Sequence, residues 1–327
     1  WKLEETLQRS VSGQCEERMV FVAFVPYGIT PPIITPFYED GSVNYDALAM
    51  MSKRLVENGV HGLFPLGTTG EFYAVNDEEF VKILTTVKEA VAGMTTRKGR
   101  PIQLFAGCSH ITTRGVIRLI RLVEQVGGYD AVSVLTPMFV SQTQDELYTY
   151  YKTIADSTDM PVILYNNKPK TNVTIAPETV ARLARDCRNI AAVKDSTGDM
   201  TNSEEYLRLT RDMRSHFNVL LGRDTLIFAG LMYGASGAIA SCANVAPRIA
   251  ADIYDKWEDG DLAGALEAQY TLAPLRIACN MGTFPQTIKE ALVMQGLPVG
   301  KCLDPIQELS PQQKETLRGV LTNMGLL

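Results

Sequence analysis

The chain has few of the side chains that build metal centres. Its 327 residues include three histidines, His61, His110 and His216, and none is spaced with another histidine, a cysteine or a carboxylate as an evident metal motif. A zinc-dependent mechanism is therefore not expected. Six cysteines, Cys15, Cys108, Cys187, Cys242, Cys279 and Cys302, are scattered without a CxxC pair, and several lie inside apolar runs. They read as reduced, buried thiols of a cytoplasmic protein. A basic excess is also missing: 31 Lys and Arg stand against 37 Asp and Glu, a net charge of −6. With no surplus cation to neutralise phosphates, neither nucleic acid nor an acidic membrane is the expected partner, and the ligand is expected to be small. The stretch Met19–Val25 is too short to span a bilayer and follows Cys15-Glu16-Glu17-Arg18, so a leading strand fits it better than a signal peptide. Residues 1–25 read as an N-terminal extension. No GxGxxG follows the first strand and nothing resembles a Walker loop, which leaves nucleotide hydrolysis without an anchor. Gly234-Ala235-Ser236-Gly237 is the nearest phosphate-like signal, and close packing or a turn explains it as readily.

What is present is a regular alternation. At 46% hydrophobic composition the chain can bury a barrel-sized core. Short β-rich apolar runs recur about every 30 residues, each followed by a stretch of helical period. Eight strands are predicted: Ile29–Phe37, Gly62–Gly67, Ile102–Cys108, Ala131–Thr136, Pro161–Tyr165, Ile190–Lys194, Val219–Gly222 and Gly237–Ser241. Between them lie amphipathic helices. Thr143-Gln144-Asp145-Glu146 is a capping box opening a helix that carries Leu147, Tyr150 and Ile154, and Ala176-Pro177-Glu178 starts another with Val180, Leu183 and Ala184 on one face. Eight units match a closed (β/α)₈ TIM barrel over 26–257 better than an open doubly wound sheet. Residues 258–327 read as a C-terminal helical extension: Leu262, Leu266 and Tyr270 share a face, and Thr287–Met294 and Pro311–Leu321 form two more helices. These are expected to pack on the barrel's side or to form a subunit contact.

Lys194 carries the chemistry. It ends the apolar run Ile190-Ala191-Ala192-Val193 and precedes Asp195-Ser196-Thr197-Gly198. A strand of that composition holds a lysine at some cost unless the ammonium is paired or works as a neutral amine, which makes Lys194 a candidate Schiff-base nucleophile. Position alone also fits an amine in water just past a strand end; its company argues otherwise. Gly62–Gly67 runs into Thr68-Thr69-Gly70-Glu71, hydroxyls and amide N–H groups freed by flanking glycines, and Pro161–Leu164 runs into Tyr165-Asn166-Asn167, a phenol able to relay protons. In a barrel the C-terminal strand ends converge on one mouth, so Thr68, Thr69, Tyr165 and Lys194 are predicted to meet there. Together they describe an imine site for a 2-oxo acid. Condensation with Lys194 turns the ketone into an iminium ion, whose nitrogen stabilises the enamine that makes or breaks a carbon–carbon bond. That chemistry requires no metal or cofactor.

Gly67-Thr68-Thr69-Gly70-Glu71, Leu164-Tyr165-Asn166, Val193-Lys194-Asp195-Ser196 and Gly237-Ala238-Ile239-Ala240-Ser241 with Ala243-Asn244-Val245 stand in an order and spacing that resemble the dihydrodipicolinate synthase / N-acetylneuraminate lyase family from about Pro26 to the C-terminus. The resemblance implies Lys194 as Schiff-base lysine and Tyr165 as proton relay. It also implies Thr68 and Thr69 as pyruvate-carboxylate and hydroxyl-relay groups, Ile239 as a backbone contact to pyruvate, and a homotetramer acting on pyruvate and an aldehyde. Two departures bear on the second substrate. Thr136-Pro137-Met138-Phe139 stands where the synthases usually have Thr-Pro-Tyr-Tyr, the second tyrosine reaching into a neighbour's site, and Phe139 cannot relay a proton. Lys170 stands where an arginine receives the aldehyde's carboxylate, keeping the charge without the bidentate fork, and Asn172 replaces the usual glycine. Lys194-Asp195-Ser196-Thr197-Gly198-Asp199 and Gln307-Glu308-Leu309-Ser310-Pro311 look more like 4-hydroxy-2-oxoglutarate aldolases. Open alternatives to a dihydrodipicolinate synthase-like lyase are therefore a 4-hydroxy-2-oxoglutarate or 2-keto-3-deoxy sugar acid aldolase, a dehydratase or deaminase using the same imine, and a barrel that only binds.

Overall fold

The apolar runs become eight parallel strands in the computed structural model, which describes residues 24–327: β1 (Gly28–Ile29), β2 (Gly62–Leu63), β3 (Gln103–Gly107), β4 (Ala131–Leu135), β5 (Val162–Asn166), β6 (Ile190–Asp195), β7 (Asn218–Leu221) and β8 (Gly237–Ala238). They pair in the order β1-β8-β7-β6-β5-β4-β3-β2. The remaining seam closes through the His61 N–H on the Ile29 carbonyl at 2.8 Å and the Phe64 N–H on the Pro31 carbonyl at 3.0 Å. This is the (β/α)₈ barrel that the alternation predicts.

Three strands stop well short of their expected ends. The run Ile29–Phe37 leaves its ladder after Ile29 because Pro31, Pro32 and Pro36 have no N–H to donate. β2 stops at Leu63, where Pro65 removes a donor and Leu66 turns to φ 61°. β8 ends at Ala238, and the chain then turns over Ser241–Asn244. Of the expected leading strand Met19–Val25, residues 19–23 lie outside the described residues, as does Cys15, and Phe24 and Val25 form no strand.

Helices α1 (Tyr45–Glu57), α2 (Asp77–Ala90), α3 (Thr113–Val126), α4 (Gln144–Ala155), α5 (Lys168–Thr171), α6 (Pro177–Asp186), α7 (Met200–Leu209), α8 (Ile227–Tyr233) and α9 (Pro247–Glu258) follow the strands, and α10 (Leu262–Ala278), α11 (Gln286–Met294) and α12 (Pro311–Asn323) come after them. The Thr143–Glu146 capping box forms as read, with Leu147, Tyr150 and Ile154 buried behind it. Pro177 opens α6, whose Val180, Leu183 and Ala184 are buried. On α10 the core takes Ala265, Ala268, Leu272 and Leu275, while Leu262 and Tyr270 are exposed. The face shared by Leu262, Leu266 and Tyr270 therefore looks outward.

Inside the barrel, Phe64, Phe105, Ala131, Ile163, Ala192, Leu220 and Ile239 form a closed apolar plug. Side chains alternate along a strand, so the next inward positions on β5 and β6 are two residues on: Tyr165 and Lys194. The plug is their floor. At the opposite end, His61 is buried, its Nδ1 accepting from the Ile29 N–H at 3.1 Å and its Nε2 2.9 Å from the Asp255 carboxylate. That histidine is a structural tie far from the mouth. Gly234 caps α8 at φ 99°, and a Cβ on Gly237 would meet the Gly28 carbonyl oxygen at 2.2 Å. Turn and close packing account for the Gly234–Gly237 segment.

Candidate active site

Tyr165 and Lys194 are register partners on neighbouring strands, so both enter the mouth at one height. Tyr165 is 4% and Lys194 3% exposed, and the Lys194 Nζ lies 3.8 Å from the Tyr165 ring centroid and 5.1 Å from that of Phe64. Burial drives the Lys194 pKa below that of an ordinary lysine, against the opposing pull of Tyr165 and Asp224, so the amine is easier to deprotonate. For Tyr165 burial acts the other way and disfavours the phenolate. The Lys194 charge, with the polar groups of Thr68, Ser196 and Lys194 nearby, outweighs it and brings the phenol's pKa down. An amine that deprotonates more easily, beside a phenol that ionises more easily, is placed to exchange a proton with it.

The β2 loop supplies the other wall. Thr68–Gly70 form one turn of 3₁₀-helix between two residues in the left-handed region, Leu66 at φ 61° and Glu71 at φ 51°. The turn fits only because Gly70 has no Cβ, which would sit 2.8 Å from the Ile33 carbonyl oxygen. Thr69 is buried, and the Thr68 hydroxyl oxygen is buried with no hydrogen-bond partner among the described residues. A polar atom so placed costs free energy unless a ligand or water meets it. Glu71 turns its side chain the other way: its Oε1 faces the Lys289 ammonium at 2.6 Å and its Oε2 accepts the Leu303 N–H at 3.0 Å. Helix α11 thereby holds the loop from behind.

These groups line one cavity of about 470 Å³. Of the residues singled out from sequence, Lys194, Tyr165, Thr68, Thr69, Ile239 and Lys170 all border it. The Ile239 N–H is spent on the Leu221 carbonyl at 2.8 Å, which leaves its carbonyl oxygen for a ligand. Lys170 sits exposed on α5, whose end is closed by Asn172 at φ 58°, a left-handed position that asparagine tolerates in place of glycine. Phe139 is 94% exposed at φ 75° and does not border the cavity.

Sequence reasoning passed over several neighbours. Asn167 donates to the Tyr165 hydroxyl at 2.9 Å and so fixes the phenol. Asp195 is buried under hydrogen bonds from Asn166, Thr197, Asn202 and Ser203, which anchors the loop after Lys194. Arg223 stands two residues past the end of β7, and the strand-end rule could have found it. Arg276 arrives from α10, outside the barrel's repeat, and no barrel rule points to it.

Comparison with known proteins fits this geometry. Residues 25–324 match the model of the Dihydrodipicolinate synthetase family. Two relatives named 4-hydroxy-tetrahydrodipicolinate synthase, from Thermodesulfovibrio yellowstonii and Methanothrix thermoacetophila, are 36% and 34% identical over 90% and 91% of this chain and 97% of each relative. The dihydrodipicolinate synthase of Thermotoga maritima superposes with a TM-score of 0.87 at 32% identity, covering 93% of this chain and 100% of that one. A prophage protein of the same family from E. coli K12, solved in complex with pyruvate, gives 0.86 at 31% identity over 92% of this chain and 99% of its own. With its barrel, its buried strand-six lysine and a match along nearly its whole length, the chain belongs to the dihydrodipicolinate synthetase family, lyases of the class I aldolase type.

Proposed function

We propose that the protein makes or breaks a carbon–carbon bond next to pyruvate through an imine on Lys194. One observation carries the reading: a buried amine of lowered pKa faces a buried, acidified phenol in one small cavity. The neutral amine of Lys194 attacks the pyruvate C2 carbonyl, and Tyr165, relayed by Thr68, protonates the departing hydroxyl so that water leaves and an iminium remains. Loss of a C3 proton sends its electron pair toward nitrogen as an enamine. C3 then bonds to an aldehyde carbon, whose oxygen takes up a proton, and water returns the amine by hydrolysis. Thr69 and the Thr68-Thr69 amides are assigned to the pyruvate carboxylate, the Ile239 carbonyl to its other end, and Lys170 to an acidic group on the aldehyde. The pyruvate bound in the E. coli K12 relative supports this choice of 2-oxo acid.

The relatives' name favours a 4-hydroxy-tetrahydrodipicolinate synthase. Lys170 and Phe139 favour instead a 4-hydroxy-2-oxoglutarate or related aldolase, because a bidentate clamp and a phenol are missing. The five cysteines among the described residues are free and buried, which supports a cytoplasmic enzyme, and the family resemblance supports a homotetramer. Borohydride with pyruvate is the test. It is expected to fix the substrate irreversibly on Lys194, located by mass spectrometry of a digest, because only an iminium there is reduced to a stable amine. Labelling of another lysine, or none with a range of 2-oxo acids, overturns the proposal.

A further inference from the structure

The charge of the cavity is opposite to that of the molecule. The chain carries a net charge of −6, yet beyond Lys194 its cavity is bordered by Lys170, Arg223 and Arg276 and by no aspartate or glutamate. Pyruvate brings a single carboxylate, assigned above to the Thr68-Thr69 turn. Three further cations are left to the second substrate: Lys170, assigned above to its acidic group, and two arginines with no anion of their own on the substrate side.

The two arginines differ in their ties. Arg276 is held from behind, its Nε 3.5 Å from the Asp224 carboxylate and its Nη1 3.5 Å from the Asn280 side-chain oxygen. Asp224 is itself committed, accepting from the Cys242 N–H at 2.7 Å and the Ser241 hydroxyl at 3.1 Å. The Arg223 side chain makes no ion pair or hydrogen bond among the described residues, although the residue is half-buried. Its side chain passes beside Gly198 in the loop after β6, where an added Cβ would come 3.4 Å from its Nε. Burial, and next the neighbouring Arg276 charge, disfavour its protonated form; Asp224 only partly compensates. A guanidinium keeps its charge under such conditions, so what the position lacks is an anionic partner.

The geometry points to Arg223, backed by Arg276, as the specificity-determining group for the second substrate: an aldehyde bearing a carboxylate and no ammonium. This rests on the Schiff-base reading above and narrows it. A carboxylate at Arg223 would complete an unpaired charge, whereas the ammonium of an amino-acid semialdehyde would meet two guanidiniums with no acidic side chain bordering the cavity to receive it.

Three four-carbon aldehydes separate the possibilities: succinate semialdehyde with a carboxylate, aspartate semialdehyde with a carboxylate and an ammonium, and butanal with neither. Pyruvate consumption gives kcat/KM for each with the wild-type enzyme and with Arg223→Met, Arg223→Lys and Arg223→Asp, beside borohydride trapping on wild-type Lys194. The wild type is expected to prefer succinate semialdehyde over each of the others by about 10-fold or more, the scale of one charge-assisted hydrogen bond. Arg223→Met should cut the succinate semialdehyde to butanal ratio by about 30-fold, largely through KM, with Arg223→Lys restoring part of it. Arg223→Asp should turn the preference toward aspartate semialdehyde. Trapping on Lys194 with ratios unmoved by Arg223→Met and Arg223→Asp, or a wild-type preference for aspartate semialdehyde, overturns this inference alone. Failure to trap pyruvate on Lys194 overturns the Schiff-base reading and this inference with it.

Discussion

The proposed chemistry depends, at the residue scale, on two groups, Lys194 and Tyr165, whose pKa values burial and proximity move together. Tyr165→Phe keeps the ring beneath the Lys194 amine and removes only the hydroxyl. It is expected to leave pyruvate binding largely intact while slowing trapping and lowering turnover by about 10²- to 10⁴-fold, the range for a positioned acid–base group. Turnover within about threefold of wild type would show that another group carries the proton. The same pair fixes a pH dependence. Burial lowers the Lys194 pKa, so the reactive neutral amine becomes populated at lower pH than in an ordinary lysine, and the initial trapping rate should rise with pH to a plateau whose midpoint lies below 10.5. Tyr165 acts on Lys194 in the raising direction, so Tyr165→Phe should move that midpoint down. A midpoint at or above the ordinary lysine value, or an upward move in the variant, would contradict the assignment of the buried pair. Both could be anticipated in part from sequence: an apolar run ending in lysine announces a costly charge, but not the phenol that sits against it.

Elements hold these residues in place, and the least expected is α11. Its Lys289 is fully buried against Glu71, the residue that ends the Thr68–Gly70 turn. Lys289 also donates to the Lys301 carbonyl at 3.0 Å. Burial lowers the Lys289 pKa, and the Glu71 carboxylate opposes that shift. Removing one partner strands a buried charge, so Lys289→Met is expected to destabilise the fold by about 3–5 kcal/mol, read from urea denaturation. The double variant Lys289→Met with Glu71→Met should recover most of that loss, because no lone charge is left in the interior. A cost below about 1 kcal/mol for the single variant would mean that the pair is not desolvated as its geometry indicates. Helix α11 is readable as a helix from Thr287–Met294, and Gln286–Met294 is observed. Its task of bracing the β2 loop was not readable, since Glu71 and Lys289 are far apart in the chain and neither carries a local pattern.

At the scale of the whole molecule, one surface is more apolar than a lone barrel needs. On α10, Leu262, Leu266, Tyr270 and Ile277 fall along one helical stripe, and Tyr270 and Ile277 are each 63% exposed. A stripe of this kind is characteristic of a contact between chains. Sedimentation at assay concentration is expected to show an oligomer, and Tyr270→Glu combined with Ile277→Glu should shift it to a smaller species. A monomeric wild type, or an unchanged assembly in the double variant, would remove α10 from any subunit contact.

The sequence by itself determined the barrel and most of the reactive set. Alternation of strand and helix is a local property, and in a parallel barrel every strand ends at the same rim, so Thr68, Tyr165 and Lys194 could be brought together from their places in the chain alone. Strand lengths were less legible where proline intervened, because a missing N–H ends a ladder without changing hydrophobicity. Tertiary structure decided the rest. It turned the Leu262–Tyr270 face outward, set Glu71 on Lys289, and carried Arg276 from an appended helix to the rim beside Arg223. Those placements depend on how distant segments dock, and charge pairing or its absence exists only once they have docked. Hence the reaction class was written in the chain, while the sign of the cavity facing the second substrate emerged only from the fold.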